Sequence, residues 1–205
     1  MSRYSKRTNT LLALAAALAL VSVTTAIAVR SPPVAAVKPL IGSSSGIGAE
    51  ELQSLAQRRL LVPVKGVDSR SLVDNFEEGR GKRKHEAIDI LAPRGTPVVA
   101  VDDGRVARLF TSAAGGLTVY QFDREEKFIY YYAHLDSYAA GLTPGGALKR
   151  GDVVGYVGTT GNAPKNTPHL HFTIFRTGPE KKWWKGIPVN PYPFLTDREP
   201  GAPKR

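Results

Sequence analysis

The chain has 205 residues, 42% of them hydrophobic, which allows one domain with a real core and hardly two. It contains no cysteine, so disulfide frameworks, thiolate metal sites and lipid attachment through a thiol are excluded. A formal net charge of +10 suits contact with anionic polymers or surfaces, although a well-solvated basic surface also accounts for it.

The N-terminus opens with Arg3, Lys6 and Arg7, and residues 8–29 carry no charge. A basic start followed by an apolar run is an export signal, and Ala26-Ile27-Ala28 has the small-x-small form of a cleavage site. The uncharged run is also just long enough to span a bilayer, which needs roughly 20 residues. Residues 1–29 therefore read as a hydrophobic export helix, either a cleaved signal peptide or a retained anchor in the inner membrane. Both place the rest of the chain in the periplasm or cell envelope and argue against nucleic acid as a partner. Residues 30–60 read as a flexible linker rich in Pro, Ser, Gly and Ala, with helical spacing of Leu52, Leu55 and Leu60 near its end. The folded domain is expected over 61–195, with a tail over 196–205.

From residue 61 onward the pattern is β. Runs at 97–101, 105–110, 117–122, 128–134, 153–157 and 169–175 alternate with turn signals such as Asp102-Asp103-Gly104 and Ala114-Gly115-Gly116. Strands at such short intervals predict an antiparallel sandwich or barrel-like domain. The Pro-rich segment after Asn190 is expected to pack loosely or be disordered.

Only four histidines are present. His85 and Asp89 stand four apart in KHEAIDI, and on a strand even spacing puts both on one face. His169 and His171 stand two apart in PHLHF, with Leu170 and Phe172 left to face the core. His134 closes the strand YYYAH. Any one of these alone is ordinary. Together they place every histidine on a predicted strand, mostly beside another potential ligand. Imidazole and carboxylate are sound zinc ligands, and three protein ligands with one open position make a catalytic site.

In chain order, the segments HEAIDILAPRGTPVVAVDDGRV, GGLTVYQF, YYYAHLDSY, GDVVGYVGTTGNA and PHLHFTIF resemble the lysostaphin-type zinc metallopeptidases of bacterial cell walls. The resemblance runs from about residue 63 to 190. It implies an antiparallel β fold with an active-site groove and one zinc ion held by His85, Asp89 and His171. His134 and His169 match the family's accessory catalytic histidines. The implied function is hydrolysis of peptide bonds in peptidoglycan stem peptides or cross-links. One departure stands out: Ala87 occupies the position where the family pattern H-x-G-x-D has glycine, which puts substrate choice in question more than activity.

Two other readings remain open from the residues. One is a non-catalytic module of the same fold that binds wall or activates another hydrolase. The other is a metallopeptidase acting on exported proteins. Outside the motifs, Glu86 reads as a solvated charge on the opposite strand face, and residues 158–168 read as an ordinary turn. Trp183-Trp184 reads as core packing, although both this pair and the loop could border the groove.

Overall fold

The computed structural model describes residues 46–81 and 83–196. The expected export helix of residues 1–29, most of the linker and the end of the tail lie outside the described residues. Among the described residues no helix is long and apolar enough to cross a membrane.

One helix, α1 (Ala49–Arg58), leads into β1 (Leu60–Leu61). Glu50 and Glu51 favour its positive end, and Glu51 accepts a hydrogen bond from the Gly48 N–H. Arg59 ends it in the left-handed region at φ 52°. A small hairpin of β2 (Gly79–Arg80) and β3 (Arg83–Lys84) follows. The chain then forms β4 (Ile88–Leu91), β5 (Pro97–Val99), β6 (Gly104–Ser112), β7 (Gly116–Asp123) and β8 (Phe128–Tyr138). After these come β9 (Ala147–Leu148), β10 (Val153–Val157), β11 (His169–Thr177), β12 (Gly186–Val189) and β13 (Leu195–Thr196).

Nine strands form one mainly antiparallel sheet with the path β12-β11-β8-β7-β6-β9, to which β4, β5 and β10 attach as branches. Among the described residues the sheet stays open, so the expected barrel does not close. Strand alternation decides what is buried. Tyr130 and Tyr132 on β8, and Leu170, Phe172 and Ile174 on β11, are fully enclosed. A buried phenol must be satisfied, and Tyr132 OH donates to Gln121 Oε1 (2.7 Å) while accepting from Val101 N–H (3.1 Å).

Two long strands organise the site. β8 pairs with β11 through Phe128–Ala133 and with β10 through Leu135–Tyr138, so its partner changes at His134. On its other edge, β11 pairs first with β4 and then with β12. His171 thus lies between Asp89 on β4 and Ala133 on β8 in a single cross-strand row.

The helix and residues 191–196 pack with the sheet. Leu52 and Leu55 are buried, and Phe194 packs in the same core. β13 pairs parallel with β1, matching Leu60 with Leu195. The expectation of a loose Pro-rich segment after Asn190 is therefore corrected for residues 191–196. Proline lacks a donor, but the short 3-10 turn Tyr192–Phe194 does not need one there, and it buries Phe194.

Candidate metal centre

Three side chains from distant parts of the sequence meet at one point. His85 Nε2, Asp89 Oδ1 and His171 Nδ1 lie 3.1 Å from one another on all three sides. Four ligands arranged tetrahedrally at about 2.0–2.1 Å from a zinc ion would stand about 3.3 Å apart. The triangle therefore matches one face of such a site, and the donor set of two imidazoles and a carboxylate suits a single ion.

The backbone explains the convergence. Asp89 and His171 are direct cross-strand partners, which brings their side chains together on one face. His85 is not on that strand. The expectation that His85 and Asp89 share one strand face is corrected: β4 begins only at Ile88, and Glu86 takes φ 55° in the left-handed region. That turn folds His85 back over Asp89. It also breaks the alternation that would send Glu86 away, so Glu86 lines the cleft. Thr173 Oγ1 anchors the turn by donating to the Glu86 carbonyl (2.7 Å). Ala87 is fully buried and is not among the cleft-lining residues, so its methyl group is absorbed by the core.

Each histidine but one is oriented by a backbone carbonyl. A carbonyl only accepts, so the ring nitrogen facing it carries the proton. His85 Nδ1 faces Asn75 O at 3.1 Å, His134 Nδ1 faces Thr160 O at 2.8 Å and His169 Nδ1 faces Thr167 O at 2.8 Å. In the neutral rings Nε2 is then the unprotonated atom. His134 lies against both His169 and His171, with ring centroids 5.0 and 5.5 Å away. His169 Nε2 lies 3.7 Å from Asp89 Oδ1. All five side chains named from the sequence are thus brought into one cluster.

Burial dominates the titration of His134, pushing its pKa down to about 4 despite its bond to Thr160 O. His171 is likewise lowered by burial. For Asp89, burial pushes upward, but the hydrogen bond from His171 and the charges of the neighbouring imidazoles outweigh it and hold the carboxyl at about 2. An ionised carboxylate is the form a cation requires of Asp89.

The cluster lines a cleft of about 540 Å³, whose walls include Arg80, Arg83 and Lys84 from the hairpin and Asn162 to Pro164 from the 158–168 loop. Arg80 pairs with Asp89 Oδ2 at 3.0 Å, leaving Oδ1 for the centre. The loop is more than an ordinary turn, since it supplies the carbonyls that orient His134 and His169. Two glycines allow it to dock. Gly116 (φ +65°) and Gly161 (φ +73°) pass so closely that a Cβ on Gly161 would lie 2.3 Å from Gly116 N. Across this contact Leu117 N–H donates to Thr160 Oγ1 (2.9 Å) and Asn162 N–H donates to Ala114 O (3.0 Å).

Asn75, Thr160, Thr167 and Arg80 were not singled out from the sequence. Three of them act at least partly through main-chain carbonyls, which any residue type supplies, so no residue signal marks them. Arg80 is one cation in the basic run GRGKRKH and is distinguished only by its contact.

The family model described as Peptidase family M23 matches residues 83–191, a span that contains all five side chains. The chain belongs to peptidase family M23. The chain is 32% identical over 120 residues to the L-Ala–D-Glu endopeptidase of Bacillus subtilis (56% of this chain, 35% of that protein). It is 34% identical over 110 residues to the DD-carboxypeptidase/endopeptidase Mpg of Neisseria meningitidis (53% of this chain, 22% of that protein). The chain thus spans about a third or less of these curated relatives. Among solved structures, LytM from Ruminococcus gnavus superposes with a TM-score of 0.58 at 30% identity, over 71% of this chain and 62% of that one.

Proposed function

We propose that this M23 chain is a zinc-dependent endopeptidase that cuts peptide bonds in peptidoglycan stem peptides or cross-links. The observation that carries this reading is the 3.1 Å triangle of His85, Asp89 and His171 with two further imidazoles beside it. His85 Nε2, Asp89 Oδ1 and His171 Nδ1 would hold one zinc ion, which when bound supplies Lewis acidity to the scissile carbonyl and the attacking water.

The remaining chemistry belongs to the protein. Asn75 O and Arg80 fix His85 and Asp89 so that their inner atoms face the centre. His134 and His169, with Nδ1–H held by carbonyls, each offer Nε2 to take a proton from the attacking water. The same atom, once protonated, can donate to the developing oxyanion or to the leaving amine. Burial lowers the His134 pKa to about 4, so its Nε2 is unprotonated at neutral pH. Arg80, Arg83 and Lys84 along the cleft favour a substrate bearing carboxylates, as stem peptides and their cross-links do. The export segment over residues 1–29 would deliver the domain to the periplasm or hold it at the membrane, where this polymer lies.

The test is digestion of purified wall with and without a chelator, with products read by mass spectrometry, beside a panel of exported proteins. About one zinc per chain and chelator-sensitive release of new peptide amino groups are expected. Wall binding without bond cleavage would overturn the reading in favour of a non-catalytic module. Cleavage confined to the protein panel would overturn the substrate.

A further inference from the structure

The outer face of the sheet carries aromatic side chains in an unbroken run from the metal centre to solvent. Tyr131 stands edge-on to His171 with ring centroids 6.2 Å apart, and Tyr120 lies 4.7 Å from Tyr131. Trp183 follows 4.8 Å beyond Tyr120, with Trp184 and Phe110 at 5.3 and 5.5 Å from Trp183. Register produces the row: Tyr131 on β8 is opposite Tyr120 on β7, which is opposite Arg108 on β6. Their neighbours Tyr130, Tyr132 and Val119 are buried, so these three face outward.

Core packing does not explain the end of this run. Trp184 is 62% exposed and Phe110 40%, leaving large apolar faces in water. The reading of both tryptophans as core residues is therefore corrected for Trp184. The cleft does not use these side chains either, because none of them lines it. The cleft is lined by His169 and His171, whereas Tyr131 at the inner end of the run lies opposite Thr173 and 6.0 Å from Phe175. Two cations rim the run: the Arg108 guanidinium lies 5.8 Å from the Trp183 ring centre and the Lys182 ammonium 5.8 Å from that of Trp184.

We propose that this aromatic shelf binds the glycan strand of the wall, seating aminosugar rings on Trp184, Trp183 and Phe110 while the attached peptide reaches the cleft. The choice of wall glycan rests on the peptidase reading above, but sugar binding itself requires no hydrolysis. A pyranose presents a face of axial C–H groups that packs on aromatic rings while its hydroxyl rim stays in water. An open row of rings tilted at 53–75° to one another fits the successive, mutually rotated units of a sugar chain better than it fits a peptide, which needs pockets and backbone partners. Arg108 and Lys182 stand where they can meet carboxylates of the attached stem peptide, since the sugar's own acid is used in the amide that carries that peptide. A lipid surface would engage Trp184 and the lysines beside it. It would leave unexplained the inward continuation through Tyr120 and Tyr131 to His171.

The chain contains two tryptophans, both on the shelf, so intrinsic fluorescence reports it directly. Titration of the full chain with oligomers of N-acetylglucosamine should give a saturable emission change. Trp184→Ala should weaken binding at least about tenfold, equivalent to about 1.4 kcal/mol. Phe110→Ser, on a different strand, should weaken it in the same direction. Trp184→Ala should also lose co-sedimentation with wall glycan stripped of its peptides. Its hydrolysis of a sugar-free cross-linked peptide should stay within twofold of the parent. Sugar binding unaltered by Trp184→Ala would overturn the proposal. So would binding of the parent chain to phosphatidylglycerol vesicles and not to stripped glycan. Glycan binding by a parent chain that hydrolyses no peptide would sink the peptidase reading and leave the shelf in place.

Discussion

At the scale of single residues, the site consists of three side chains whose donor atoms converge and two imidazoles that flank them. His85, Asp89 and His171 contribute the atoms of the triangle, while His134 and His169 flank it with Nδ1 tied to carbonyls. On the proposed assignment, alanine at one of the first three removes a ligand, and alanine at one of the other two does not. His85→Ala is therefore expected to drop bound zinc from about one to near zero per chain. His134→Ala should keep most of the zinc yet lose about 10²–10⁴-fold in turnover, the usual contribution of a positioned acid or base. Elemental analysis of dialysed protein beside a peptide-cleavage assay reads both. Retention of full zinc by the His85 variant would contradict the assignment. The histidines and Asp89 were legible because their residue types are chemically restricted. Asn75 was not, since its carbonyl could come from any residue.

At the scale of elements, the decisive contact is between the β6–β7 turn and the 158–168 loop. Gly116 and Gly161 touch where side chains would collide, and Thr160 reaches across to Leu117 N–H and Leu135 O. This clasp holds the carbonyl that orients His134. Gly161→Ala would force a methyl group into backbone atoms at a left-handed position, costing about 1–3 kcal/mol in strain alone. A fall in Tm of roughly 2–12 °C follows from about 2–4 °C per kcal/mol for a chain this size. Turnover should fall while zinc content is kept, because the three ligand side chains come from other segments. Calorimetry and the zinc assay together check this, and a variant with unchanged Tm and turnover would show the clasp to be dispensable. The Gly-rich loop was visible in the sequence, but its role was not, because glycine spacing marks a tight approach without naming the partner.

At the scale of the whole molecule, α1 is fastened to the sheet by charges as well as by leucines. Arg58 reaches Asp102 at 3.0 Å and the fully enclosed carboxylate of Asp123 at 2.8 Å, and Tyr130 OH donates to Asp102 at 3.1 Å. Glu51 pairs with Arg176 on β11 at 3.1 Å. The helix preceding the domain thus leans on the strand that carries His169 and His171. Arg58→Ala would leave Asp123 buried without its cation, a loss of about 3–5 kcal/mol for a fully buried pair and somewhat less here, since Arg58 keeps some exposure. Urea denaturation should show a lower midpoint with an unchanged slope. A midpoint equal to that of the parent chain would mean that the helix contributes no stability through this pair.

What the sequence determined by itself was local and compositional. Alternation of apolar residues marked the main strands, and the absence of cysteine with only four histidines confined any metal site to a few positions. The tertiary structure decided the rest. It folded His85 back through the left-handed turn at Glu86, set Asp89 opposite His171 and drew the 158–168 loop onto His134. It also kept the sheet open and aligned aromatic residues from three strands and a loop into one shelf. These outcomes depend on register and on contacts between residues far apart in sequence, such as His85 and His171, 86 positions apart. Periodicity reports which face a side chain takes and carries no information about which strand lies beside it.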